Sequence, residues 1–155
     1  MTYQQSLSTM RALRTMIGKR LSTIDDATLH RIPTGFNGNL HWQIGHLAVT
    51  PALLTFKLSG LDMPVPGPMV EAFAKGSAPS AASAAFSRES VQQELFSVLD
   101  AIEEAFINNR FTNFSPYQTS AGVPLNNADE ALAFAAVHDG IHLGYTLALA
   151  RVLSA

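Results

Sequence analysis

The sequence predicts an all-α fold, a four-helix bundle with a long crossover between its second and third helices. Helical periodicity dominates the chain, and no stretch alternates cleanly with the period of two that marks a half-buried strand. Apolar stripes divide it into four blocks of roughly 18–25 residues, the size of bundle helices. One long and two medium connections separate these blocks. The chain has 155 residues, and domains commonly hold about 100–150. With no internal repeats, a single domain over residues 1–155 is expected.

The first helix starts beside Thr2, which stands three residues before Gln5 in capping-box spacing. Leu7, Met10, Ile17, Leu21 and Ile24 form its apolar stripe, with Arg11, Arg14 and Lys19 assigned mostly off that stripe. It ends before Asp25 and Asp26. A turn-rich segment over residues 33–39 leads to Asn39, a suitable N-cap for the second helix. That helix spans residues 40–59 and stops at Gly60, with Trp42, His46, Val49, Leu53 and Phe56 on one face. Pro51 inside it predicts a kink or break about one turn upstream.

Periodicity dissolves over residues 61–86, which carry four prolines between Pro64 and Pro79. A connection this long can cross the length of a bundle, with room for a short helix around residues 69–74, and it allows the second and third helices to run parallel. The third helix begins near Ser87, carries Val91, Leu95, Val98, Leu99, Ile102 and Phe106 on its stripe, and ends at Asn108 and Asn109. A loop over residues 111–125 follows. The fourth helix opens at Asn126 or Asn127, with Glu130 in capping-box register with Asn127, and continues to about Val152.

Composition narrows the function. The chain has no cysteine, which excludes disulfides, cysteine-ligated zinc, iron–sulfur clusters and a thiol nucleophile of its own. A net charge of −2 argues against broad nucleic-acid binding, which needs a basic face. Only 14% of residues are charged, against about 25% in a typical domain. Such a chain buries surface against a partner or in a membrane. Residues 131–150 have membrane length, but His138, Asp139 and His142 lie at their middle, and a carboxylate at bilayer centre costs about 2.5–3.5 kcal/mol. The segment therefore reads as a helix buried in protein. No basic segment followed by an apolar run opens the chain, so no secretory signal is expected. A cytoplasmic protein is.

The histidines carry the chemical information. His138 and His142 are four apart and share one helix face, about 5–6 Å between Cβ atoms. Ala131, Ala135, His138, His142, Tyr145, Leu149 and Val152 recur at heptad-like spacing, so both rings are expected to face the bundle interior. Such a pair can bind a metal ion or can equally be a hydrogen-bonded feature of the core. His46 adds weight to the first reading, because it lies on the apolar stripe of another helix and an unpartnered buried imidazole is costly. Three imidazoles from two helices would make a facial site with open positions, as in catalytic zinc centres. Gln43 and Asp139 are candidates to hold the second ring nitrogens. His41 is about 140° around the helix from His46. It and His30 read as surface or capping residues, with a cleft position for His41 as the other option. Tyr145, one turn after His142, is a candidate for the site's mouth, or else packs in the core. Gly140 and Gly144 permit close helix approach.

Asn39, Trp42, Gly45 and His46 form an Asn-x-x-Trp-x-x-Gly-His run that resembles a helix of the DinB/YfiT-like superfamily of metalloenzymes. His138, His142 and Gly144, followed by Arg151, resemble that family's closing His-x-x-x-His-x-Gly helix, and residues 73–80 are similar to its crossover. The resemblance covers most of the chain. It implies a four-helix bundle and a divalent metal ion on His46, His138 and His142, in a family whose members are frequently homodimers. Characterised relatives include bacillithiol S-transferases and a mycothiol-dependent maleylpyruvate isomerase. Many relatives carry Gln where this chain has Tyr145, so the substrate does not transfer by analogy.

Three functions are consistent with these features. The first is a metal-dependent enzyme of thiol S-transferase or isomerase type, using a low-molecular-weight thiol and a small-molecule substrate. The metal would be zinc or nickel foremost, with iron or manganese as further options. The second is a hydrolase that uses a metal-bound water, and the third is a non-catalytic dimeric metal-binding bundle. No nucleic acid or membrane partner is expected. The first helix and the Ala-rich last helix are the candidate dimer faces.

Overall fold

A computed structural model describes all 155 residues. Four long helices dominate it: α1 (Tyr3–Leu21), α3 (Leu40–Ala52), α6 (Arg88–Ile107) and α7 (Ala128–Leu153). Three short ones, α2 (Asp26–His30), α4 (Gly67–Phe73) and α5 (Ala81–Ala84), lie in the connections. The long helices form a square in which α1 packs on α6 and α7, and α3 packs on the same two. Met10 and Ile17 of α1, Ile44 and Leu47 of α3, Leu99 of α6 and Leu132 and Leu149 of α7 are fully buried at its centre. The all-α expectation is met, and no helix is long and apolar enough to cross a membrane.

Local chemistry sets the ends of these helices. Thr2 and Gln5 form the expected capping box, with the Gln5 N–H donating to Thr2 Oγ1 at 3.3 Å and the Thr2 N–H to Gln5 Oε1 at 2.9 Å. The Trp42 N–H donates to Asn39 Oδ1 at 2.8 Å and the Glu130 N–H to Asn127 Oδ1 at 2.8 Å, so both asparagines satisfy orphan donors of the first helical turn. Asp25 caps α2 and Ser80 caps α5 in the same way. Neither one-turn helix was expected, because elements this short carry no readable periodicity. Arg88, at the start of α6, donates to the carbonyls of Leu21 and Ile24 and so closes the C-terminal end of α1.

Pro51 does not break the second helix upstream. Instead α3 runs without interruption from Leu40 to Ala52 and passes into a π-helical turn over Leu53–Lys57. Proline lacks the N–H that would bond Leu47 O, one turn back. That carbonyl accepts from Arg14 Nη2 at 2.7 Å, so the acceptor freed by the proline does not go unsatisfied. Arg14 is thus a correction to the sequence reading, being fully buried rather than off the stripe. The last connection contains a minimal antiparallel hairpin, β1 (Tyr117–Gln118) with β2 (Pro124–Leu125). Its turn includes Gly122 at φ +81°, a left-handed conformation that suits glycine. The Ser115 N–H donates to Leu58 O at 2.7 Å and ties this loop to the end of the π-helical turn.

Candidate metal centre

The structure brings His46 of α3 together with His138 and His142 of α7. One ring nitrogen from each lies within 4.8 Å of the other two. His46 is buried, and the α7 pair is half-buried at the edge of the bundle. His46 Nε2 and His138 Nε2 are 3.2 Å apart. Two nitrogens bound to one metal at about 2.0–2.1 Å stand roughly 2.8–3.4 Å apart for octahedral to tetrahedral angles.

The tautomers follow from the partners. His46 Nδ1 donates to Phe73 O at 2.8 Å, since a carbonyl can only accept, and this leaves the Nε2 lone pair facing the other rings. His142 Nδ1 donates to Gln43 Oε1 at 2.7 Å, with the same consequence. Gln43 therefore does what its position suggested, whereas Asp139 does not. Asp139 faces away from the rings and pairs with Arg14 at 2.7 Å, both side chains being essentially inaccessible. His138 Nδ1 is buried and has no partner. If His138 Nε2–H donated to His46, Nδ1 would be an orphaned acceptor, and in the other tautomer two lone pairs would meet at 3.2 Å. A cation shared by the two Nε2 atoms removes that lone-pair repulsion, so the residues fit a metal ion.

The electrostatics agree with this. Burial pushes the His138 imidazolium down to about 3, helped by His142, His46 and Arg14. Burial and His46 lower His142 to about 4. Burial also lowers His46, against the opposing effect of its bond to Phe73 O. All three are neutral at neutral pH, the form that ligates metals.

Trp42 stacks on His46, with ring centroids 4.8 Å apart and planes inclined by 11°. Its indole N–H donates to Ser77 Oγ at 2.9 Å, which anchors the ring to the crossover. Gly45 explains another part of the motif. A Cβ at this position would lie 2.2 Å from Phe73 Cδ1, so only glycine lets α4 press its phenyl ring onto α3. That contact brings the Phe73 carbonyl to His46. This role is invisible in the sequence, because a backbone acceptor leaves no residue-type signature.

The chain matches the sequence profile of the DinB superfamily over residues 9–146. It belongs to that superfamily. No curated protein matches it. Within this DinB-superfamily chain, His46 and His138 form one wall of a cleft of about 510 Å³ between the π-helical turn, α4, the β1–β2 loop and α7. Leu53, Leu54, Val70 and Phe134 make much of the wall apolar, while Lys57 and Lys75 bring positive charge. Thr50, which was not anticipated, also lines it. Its hydroxyl donates to His46 O at 2.7 Å and lies 3.4 Å from His46 Nε2.

Two expected residues lie elsewhere. Tyr145 does not line this cleft; it is 39% exposed and makes an edge contact with Phe36 at 6.0 Å. His41 is neither at the surface nor in the cleft. It is buried against His30 and Phe73, with Nε2 at 3.0 Å from Ser83 O.

Proposed function

We propose that this protein is a metal-dependent enzyme in which His46, His138 and His142 hold one divalent ion, zinc or nickel foremost, with iron or manganese as further options. It would use a low-molecular-weight thiol to transform a small electrophile, as an S-transferase or isomerase. The observation that carries this reading is the convergence of three neutral imidazoles beside an open cleft of about 510 Å³. A bound divalent ion would supply Lewis acidity and favour the thiolate form of the thiol. The chain has no cysteine, so the sulfur nucleophile has to come from a cofactor.

The protein's own residues would orient and shield the reactants. Phe73 O and Gln43 fix two imidazoles by their second nitrogens, and Trp42 covers one face of His46. The apolar wall formed by Leu53, Leu54 and Phe134 would exclude water around an apolar electrophile. Lys57 and Lys75 outnumber Glu71 among the charged lining residues, which favours a thiol or electrophile that carries an anionic group. Thr50 supports a second reading, hydrolysis. With its proton committed to His46 O, its oxygen can accept a hydrogen bond from a water nucleophile.

The exposed side of α7 supports a homodimer. Val137 and Ile141 are 56% and 66% exposed, and exposed Gly140, Gly144 and Ala148 continue an uncharged face.

Elemental analysis of wild type and His142→Ala tests the metal, and equal metal content in both would refute it. Turnover by the metal-loaded protein of low-molecular-weight thiols with model electrophiles tests the reaction. Chelator-sensitive hydrolysis of esters, amides or phosphoesters without any thiol reaction would favour the second reading.

A further inference from the structure

The geometry points to Arg14 as a positioning residue that sets the separation of the two helices bearing the histidines. The inference rests on the metal reading above. Arg14 belongs to α1 and touches none of the three rings, yet its guanidinium bonds the residues that directly follow two of them. Nε donates to Asp139 Oδ2 at 2.7 Å and Nη2 to Asp139 Oδ1 at 3.3 Å, and Asp139 follows His138. The same Nη2 donates to Leu47 O at 2.7 Å, and Leu47 follows His46. Nη1 donates to Leu95 O and brings α6 into the same junction. One planar group therefore links all four long helices at the level of the metal centre.

Three observations separate this arrangement from an ordinary ion pair. Arg14 and Asp139 are the only Arg, Lys, Asp or Glu side chains among the buried residues, and each is fully inaccessible. Pro51 supplies no N–H to Leu47 O, and Arg14 takes the place of that missing donor, so the proline and the arginine form one device. The fork of the guanidinium, finally, fixes directions as well as distances, which a lysine ammonium cannot do. The pair ties the backbones of α3 and α7 one residue beyond His46 and His138, whose Nε2 atoms stand 3.2 Å apart.

The test compares wild type, Arg14→Lys and the double variant Arg14→Met/Asp139→Leu. The double variant replaces the ion pair by apolar side chains, a change that buried pairs often tolerate. Circular dichroism and thermal melts of the metal-free proteins establish folding. Zinc affinity comes from competition with a chromophoric chelator, and coordination geometry from the visible spectrum of the cobalt-loaded protein. Wild-type binding at one equivalent first establishes the metal site, so a failure of that reading is seen separately. The expected result is folded protein with zinc affinity weakened by about 10–100-fold, the usual effect of losing an outer partner, and an altered cobalt spectrum. A folded variant with affinity within twofold of wild type and an unchanged cobalt spectrum overturns the proposal. If Arg14→Lys does not fold, the double variant decides by the same two readouts.

Discussion

Replacing Gly45 by alanine should destabilise the protein although alanine is the better helix former. The added Cβ would lie 2.2, 2.4 and 2.5 Å from three atoms of the Phe73 ring. Carbon atoms pack comfortably at about 3.5–4.0 Å, so the ring has to retreat by roughly an ångström. It has little room, being fully buried with His41 at 5.7 Å and Phe86 at 5.8 Å between centroids. Overpacking of this kind costs about 1–3 kcal/mol, and a clash this close belongs at the upper end. Alanine returns about 1 kcal/mol of helix propensity. The net loss is therefore about 2 kcal/mol, or roughly 4–8 °C in Tm for a chain of this size. Calorimetry of the metal-free protein measures it directly. Adding Phe73→Leu in the Gly45→Ala background should recover part of the loss, because the two changes meet at one contact. An unchanged or higher Tm for Gly45→Ala would refute the reasoning. Because Phe73 O holds His46 Nδ1, zinc affinity should fall along with stability.

Gln43→Leu removes the acceptor of His142 Nδ1, and chelator competition should show zinc binding weakened by about 10–100-fold. Acid should destabilise the metal-free protein. His138 and His142 titrate near 3 and 4 when folded, against 6.5 when unfolded. The unfolded chain thus binds more protons between those values, and stability falls as pH drops below about 6.5. Asp139, raised by burial, acts in the opposite sense above its ordinary 3.8, one group against the histidines. Urea titrations at pH 7.5 and 5 check the sign, and equal midpoints would contradict it. Ile141→Glu places a charge on the uncharged exposed face of α7 and should convert a dimer to a monomer in sedimentation analysis, without loss of helicity.

The three-histidine cluster was legible in the sequence because histidine is conspicuous on an apolar stripe. His46 and the His138–His142 pair each stood where leucine or alanine would be ordinary. Gln43 could be placed by helical spacing from His46. Arg14 could have been found too, since Leu7, Met10, Arg14, Ile17 and Leu21 follow steps of three and four without a gap. Its residue type argued for the surface, and its partner Asp139 was assigned to the histidines instead. The effect of Pro51 was not legible, because whether a helix breaks depends on who satisfies the freed carbonyl, and Arg14 lies 33 residues away from Leu47. The contributions of Phe73 O and of the capped turns α2 and α5 are backbone events. They depend on where the crossover lands, which local pattern does not encode.

Trp42 gives the protein a property independent of its chemistry. It is the only tryptophan in the chain, and its ring lies flat against that of His46. All indole emission therefore originates beside one candidate ligand. Whatever changes the charge or electronic environment of that imidazole, whether a proton, a closed-shell ion such as zinc or an open-shell one such as nickel, acts on a single fluorophore. The molecule carries its own optical gauge of the centre, usable without labels and free of background from other tryptophans.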